Sequence, residues 1–489
     1  MNKISTFLKW FHPGMHVKRW VFLGFLGLMS FMLGMGIIIQ VRGTQGATMA
    51  IRIATWVISQ LRITLHPGVM GIIFSVFGMG LCIFAFIKLI LSLTSVLDPE
   101  LAPGGLVDVI YQKRRLTQGR KIVVIGGGTG LSTMLRGLKQ YSANITAIVT
   151  VADDGGSSGK LQKQLGILPP GDIRNCLVAL ADSEPQMTQL FQYRFRNSVR
   201  PTARDAKPHP GELHSRPAHH HAGASRPHSA IQTTPELDPE LSLAPAAGSI
   251  DPRNFGEGLR DHAFGNLLIA AMCAINEGDF EKAVRETSRV LNIRGRVLPS
   301  TVDHVRLRAE MEDGSFLDGE TTIAHSELKI KRVSLIPGDA CPVAGAIEAI
   351  QNADVIVIGP GSVYTSIIPN LLVQGIPEAL RQSKAKKVYV CNVMTQRGET
   401  EGYSAFDHVK AIEHHARQKV FQYVLVNTGR PSQELLDKYR QTGAILVEPD
   451  VERIKAEGYR PIGGDFVNQT DVVRHDAVML AEAIMRLLR

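Results

Sequence analysis

The run KIVVIGGGTGLST at 121–133 constrains this chain more than any other stretch. Ile122 to Ile125 read as a buried strand, the glycines after them as a turn, and Met134, Leu135 and Leu138 as one apolar face of the following helix. A strand that ends in glycine and runs directly into a helix leaves backbone N–H groups converging at the positive end of the helix dipole, which is a cradle for an anion. Gly126, Gly127, Gly128 and Gly130, with Thr129 among them, are its candidate residues. The spacing is not the dinucleotide fingerprint, because Leu131 stands where G-x-G-x-x-G requires glycine after Gly126 and Gly128. The turn therefore points to a phosphate or nucleotide and away from NAD, with a bare strand-to-helix turn as the competing reading.

A second strand-end turn strengthens the first. In VIVIGPGSVYTSIIPN, 355–370, the segment Gly359-Pro360-Gly361-Ser362 repeats the same logic, and Ser362 and Thr365 supply hydroxyls for phosphate oxygens. Between the turns lie further polar loops. Asp153 and Asp154, at the end of another strand, offer two adjacent carboxylates that could hold Mg²⁺ with a bound phosphate, accept a ribose hydroxyl, or simply form an Asx turn. Pro169-Pro170-Gly171 forces a turn, Asp172 is placed to cap the helix beginning near Ile173, and Arg174 and Asn175 fall in that helix's first turn, where Arg174 suits a phosphate or carboxylate. His262 and Asn266, four residues apart, face one side at the start of a helix, as ligands for a substrate oxygen, as acid and base, or as packed residues. Thr395, Gln396 and Glu399 lie in a loop able to close the site.

Continuous apolar runs at 121–125, 145–151, 354–358, 387–393, 422–426 and 444–448, separated by helical stretches, predict strands buried on both faces. The fold class is α/β, a doubly wound, mainly parallel Rossmann-like sheet. Residues 305–323 read as an antiparallel hairpin turning at Asp313-Gly314.

Two apolar runs precede this domain, one without charge at 21–40 and one uncharged from Gly68 to Ile87 and continued past Lys88. Residues 21–40 and about 68–93 are each long enough to cross a bilayer, which takes about 20 residues of helix. Lys3, Lys9, Lys18 and Arg19 before them, and Lys113, Arg114, Arg115, Arg120 and Lys121 after them, outnumber the three arginines of the intervening loop, so both termini and the main domain are expected in the cytoplasm. The expected organisation is a membrane anchor at 1–98, a linker at 99–119 and a nucleotide-binding domain at 120–489, interrupted at 197–257 by a His/Pro/Ala-rich insertion expected to be disordered. The histidines there, His209 to His228, could also gather metal. The formal charge of +9 does not imply nucleic acid, because the positives are dispersed and lack interleaved aromatics. Five scattered cysteines with no C-x-x-C pair indicate neither a disulfide framework nor zinc.

The blocks GGGTGLST, VADDGGSSGKL, LGILPPGDIRNCLVALAD, HAFGNLL, IGPGSVYTSIIPN and NVMTQRGETEGY resemble, in order, the signature blocks of the YvcK/CofD-like family, most closely its YvcK branch of gluconeogenesis factors. The resemblance covers about residues 120–489 apart from the insertion. It implies a Rossmann-like fold with the glycine turns on a diphosphate and Asp153, Asp154 and Asn175 close by. Relatives on the CofD branch are Mg²⁺-dependent 2-phospho-L-lactate transferases that act between a guanosine diphosphate donor and a deazaflavin. YvcK relatives bind UDP-N-acetylglucosamine and are linked to cell shape and wall synthesis on gluconeogenic carbon. In that branch a tyrosine and an arginine at the positions of Tyr439 and Arg474 are associated with the UDP-sugar. The expected function is thus a membrane-anchored UDP-sugar-binding regulator, with a transferase as the alternative. Its expected partners are the UDP-sugar, the membrane, further copies of the chain and wall enzymes. Two features depart from the family: the membrane runs are additional to a usually soluble protein, and Asp261 stands before His262 where relatives often carry glycine.

Overall fold

A computed structural model describes residues 17–41, 66–97, 114–182, 184–195, 259, 261–469 and 473–488. Much of the linker and the whole 197–257 insertion lie outside the described residues. The chain divides into two compact units, Met1–Arg115 and Leu116–Arg489.

The first unit contains α1, Val17–Val41, and α2, Pro67–Leu97. Both are long and apolar enough to cross a membrane. They pack through small residues. A Cβ on Gly34 would lie 2.5 Å from Gly71 O and the Ser75 amide, and one on Gly78 would lie 2.4 Å from the Phe31 amide. Small residues that let two helix backbones approach this closely are the kind of seam by which helices associate in lipid. The Ser30 hydroxyl donates to Phe74 O at 3.1 Å across the same seam. Large apolar side chains, including Phe22, Phe25, Phe77 and Phe86, face outward.

In the second unit the parallel strands are β1, Ile122–Gly126, β2, Ile145–Val149, and β3, Arg296–Pro299, then β7, Val355–Ile358, β8, Lys386–Val390, β9, Tyr423–Asn427, and β10, Arg460–Gly464. They form one sheet in the order β10-β9-β8-β7-β1-β2-β3, every pairing parallel. The expected doubly wound fold is therefore the observed one. Winding reverses between β1 and β7, and it is at such a switch point that α/β sheets open a crevice beyond their carboxyl ends.

Helices α3, Gly128–Leu138, α4, Gly156–Leu165, α5, Gly171–Leu180, α6, Glu184–Gln192, α7, Phe264–Ile275, and α8, Phe280–Val290, lie between β1 and β3 in the chain. Leu131, Met134, Leu135 and Leu138 of α3 are buried, as their spacing predicts. The 305–323 hairpin is present as β4, Arg306–Met311, and β5, Phe316–Asp318, turning at Gly314 with φ +85°. After α9, Glu320–Ala324, strand β6, Ile330–Ile336, pairs with β4 and completes a three-stranded sheet. The rest of the domain comprises α10, Ala344–Asn352, a π-turn at Val363–Ile367 leading into α11, Ile368–Leu372, α12, Ile376–Gln382, α13, Ala405–Ala416, α14, Gln433–Gln441, α15, Val451–Ala456, the ribbon β11, Val467–Gln469, with β12, Val473–His475, and α16, Ala477–Arg486.

One expected strand is absent. Residues 444–448 make only an isolated bridge, Leu446 to Met394, and the outer strand on that side is β10 instead. Segment 444–448 crosses to the loop after β8, where the Thr395 amide donates to Ile445 O at 2.8 Å, and so is drawn out of the sheet.

Candidate functional site

The two glycine turns meet at the switch point. β1 delivers Gly127 and α3, and β7 delivers Gly359 to Ser362, side by side. A Cβ on Gly130 would sit 2.6 Å from Pro360 O, so glycine is what permits the approach. The N-cap Gly127 has no side chain to close the start of α3, and Gly128 holds φ +68° with its amide donating to the Asp172 carboxyl. The other first-turn amides keep the anion-receiving character that the sequence suggests.

Above the turns opens a cleft of about 450 Å³. Gly127, Gly128, Thr129 and Gly130 line one side, Gly361 and Ser362 another, and Tyr439 and Arg474 a third. The second turn is braced from the loop after β8. The Gly361 amide donates to Asn392 Oδ1 at 3.2 Å, Asn392 Nδ2 donates to Gly361 O at 2.9 Å, and Gln396 Nε2 donates to Ser362 Oγ at 2.8 Å. With Gln396 donating to it, Ser362 Oγ acts as acceptor there and keeps its own proton to donate. Thr395 also lines the cleft. Thr365 and Glu399 do not: they are buried behind the turn, where the carboxylate accepts the Thr365 hydroxyl at 3.0 Å and the Tyr364 amide at 3.2 Å.

Arg474 arrives by packing rather than by sequence proximity. α16 seats on α3 where Gly137 has no Cβ, since one there would lie 1.9 Å from Ala477 O. That contact draws the preceding β12 to the mouth of the cleft. Tyr439, on α14, fixes the same strand by accepting the Val473 amide at 3.1 Å through its hydroxyl.

Other candidates fall beside the cleft. Gly126 and Gly359 lie beneath the turns, where Gly126 O accepts Asn370 Nδ2 at 3.2 Å and the Gly359 amide donates to Ile125 O. Asp153 Oδ1 accepts the Gly155 amide at 2.9 Å, an Asx turn, while Asp154 Oδ1 accepts both the amide and hydroxyl of Thr321. Asn175 and Asn266 belong to a largely buried network. Arg174 donates to Asn266 Oδ1 at 3.0 Å and Asn175 Oδ1 at 2.9 Å, and Asn266 Nδ2 donates to Ser157 Oγ at 3.0 Å, which also meets His262 Nδ1 at 3.0 Å. Desolvation, reinforced by Lys160, holds the His262 imidazole below its usual range, so it is neutral at pH 7. Asp261 adopts φ +65°, the left-handed backbone that glycine takes readily.

Asp172 was expected as a helix cap; the cap position is Pro170, and Asp172 turns inward to the cleft floor. Desolvation, then repulsion from Asp153, pushes its carboxyl up to about 6 despite a hydrogen bond from the Gly128 amide. Glu320, which no motif marked, also lines the cleft. Of the expected Mg²⁺ pair, Asp153 and Asp154, Asp154 is also hydrogen-bonded to Thr321, and no group of three or more metal-capable side chains converges among the described residues.

Comparison with known proteins agrees with this architecture. The family model described as 2-phospho-L-lactate transferase CofD matches residues 122–467. The gluconeogenesis factor of Halalkalibacterium halodurans is 45% identical over 75% of this chain and 96% of its own, and that of Bacillus subtilis is 43% identical over 76% and 99%. A relative from Nostoc sp. is 40% identical over 99% of this chain and 93% of its own, so the alignment extends into the N-terminal unit. A crystal structure of a UPF0052 family member from Bacillus halodurans superposes with a TM-score of 0.61 at 44% identity, covering 75% of this chain and 99% of that one. The chain belongs to the CofD family, alongside its gluconeogenesis-factor relatives.

Proposed function

We propose that the chain is a gluconeogenesis factor of the YvcK type that binds UDP-N-acetylglucosamine in the switch-point cleft and regulates cell shape and wall-precursor supply during gluconeogenic growth. One observation carries this reading: both glycine turns, Tyr439 and Arg474 line a single cleft. The turns offer backbone donors to a diphosphate, the guanidinium offers a bidentate partner to its oxygens, and the tyrosine ring offers a face or a hydroxyl to the base or sugar. The two apolar helices anchor the protein in the membrane with this domain on the cytosolic side, where wall enzymes and other copies of the chain are its partners. Binding alone suffices for such a role.

The transferase alternative separates cleanly. Supplying the full-length chain with Mg²⁺, a guanosine diphospholactate and a deazaflavin acceptor yields no phospholactyl transfer on the proposed reading. Magnesium-dependent release of guanosine monophosphate would replace the regulator with an enzyme.

A further inference from the structure

One hydroxyl in the cleft has nothing in the protein to bond. Four hydroxyl side chains fall in the π-turn and the residue before it, and three are engaged: Ser362 Oγ accepts Gln396 Nε2 at 2.8 Å, the Tyr364 and Tyr403 hydroxyls meet at 2.8 Å, and Thr365 donates to Glu399 at 3.0 Å. Ser366 is the fourth. It is only 5% exposed and lines the cleft, and among the described residues its hydroxyl makes no hydrogen bond. A hydroxyl buried to this degree ordinarily has a partner.

The backbone holds that hydroxyl between the two glycine turns. Its Oγ lies 3.6 Å from where a Cβ on Gly128 would stand, and its Cβ lies 3.3 and 3.4 Å from the same points on Gly127 and Gly361. Glycine in both turns therefore leaves room for this serine at the start of α3, where an anion is received. The turn is fixed on two sides. The Ser366 and Ile367 amides both donate to Ser362 O, at 2.9 and 3.0 Å, the wide closure of a π-turn, a form that recurs at functional sites. Asn370, fully buried, sends Nδ2 to Ser366 O at 2.7 Å and to Gly126 O at 3.2 Å, which ties the serine to the first turn as well.

We propose that Ser366 is a ligand-contacting residue whose hydroxyl donates to a phosphoryl oxygen of the bound nucleotide diphosphate, between the two glycine turns. This deepens the sugar-nucleotide reading above and rests on it. A neutral donor at this place adds a charge-assisted bond to those of the backbone amides and needs no counter-charge of its own.

The test is calorimetric titration of the full-length chain in detergent with UDP-N-acetylglucosamine, native beside Ser366→Ala. The variant binds about tenfold more weakly, the loss expected for one hydrogen bond to a charged acceptor. Because the hydroxyl bonds no protein group, hydrogen exchange of the 363–370 amides in the ligand-free protein stays at its native rate. With the ligand at saturation, phosphorus NMR shows a resonance of the bound diphosphate displaced in the variant. Equal affinity of the two proteins overturns the Ser366 assignment and leaves the cleft reading standing. Weaker binding with every phosphorus resonance in its native place also overturns it, since the hydroxyl would then face the sugar or the base. Faster exchange across 363–370 in the variant makes Ser366 a structural residue and overturns it as well. Failure of the native chain to bind the sugar nucleotide defeats the cleft reading and this assignment together.

Discussion

Asp172 fills the space beside Gly127: a Cβ at 127 would stand 2.5 Å from Asp172 Oδ2 and 2.7 Å from the Thr150 methyl. The cradle's first turn and the cleft floor are therefore one packed unit. Gly127→Ala is expected to cost about 1–3 kcal/mol, read from the denaturant midpoint, because neither neighbour can withdraw freely. Gly338→Ala is the control: its Cβ would meet only Leu335 O, at 3.6 Å, and its cost stays within about 0.5 kcal/mol. Equal losses in the two variants would show that the 127–172 contact has no special weight.

The pH dependence of stability follows from the same carboxyl. The Asp172 carboxyl is raised from its usual value of 3.8 to about 6, so between those values the folded protein holds a proton that the unfolded chain has released. Stability contributed by this group is thus fully present below about pH 4 and declines as pH rises through 6, by at most about 3 kcal/mol. Asp172→Asn removes that slope. Urea midpoints across this range check it, and a native-minus-variant difference that stays constant from about pH 4 to about pH 7 would refute it.

The helical hairpin makes a separate prediction. Removing residues 1–115 moves the protein from the membrane pellet to the soluble fraction. Gly34→Ile instead keeps the protein in the pellet, because each helix remains apolar and long enough, but pushes α1 off the backbone of α2 at Gly71 and Ser75. Disulfide trapping between cysteines introduced across the seam reports that separation. Unchanged trapping in Gly34→Ile would mean that the helices do not pack through Gly34.

What the sequence disclosed and what it hid divide along physical lines. β1, β2, β7, β8 and β9 were legible because both their faces are buried, which leaves unbroken apolar runs. β3 and β10 were not: as edge strands they tolerate Arg296, Arg460, Pro461 and two glycines, and carry no such run. Both glycine turns were legible because the backbone geometry demands glycine wherever the turns meet. Asp172 was misread because a first-turn aspartate looks alike whether it caps its own helix or faces another, and only the packing of α5 against α3 decides. Glu320 gave no local signal at all, since its place in the cleft depends on Asp154 and Thr321, 167 residues apart. Tyr439 and Arg474 came from family resemblance alone; the seat of α16 on Gly137 explains physically why Arg474 reaches the cleft, and the bond from the Val473 amide to the Tyr439 hydroxyl ties Tyr439 to the same strand.

The most direct measurement of the account is equilibrium titration of the full-length protein with UDP-N-acetylglucosamine, native beside Arg474→Ala. Micromolar binding by the native chain, weakened at least about tenfold in the variant through loss of a charge-assisted diphosphate contact, is the predicted result. No binding by the native chain, or equal binding by both proteins, would contradict the assignment of the switch-point cleft to a sugar nucleotide.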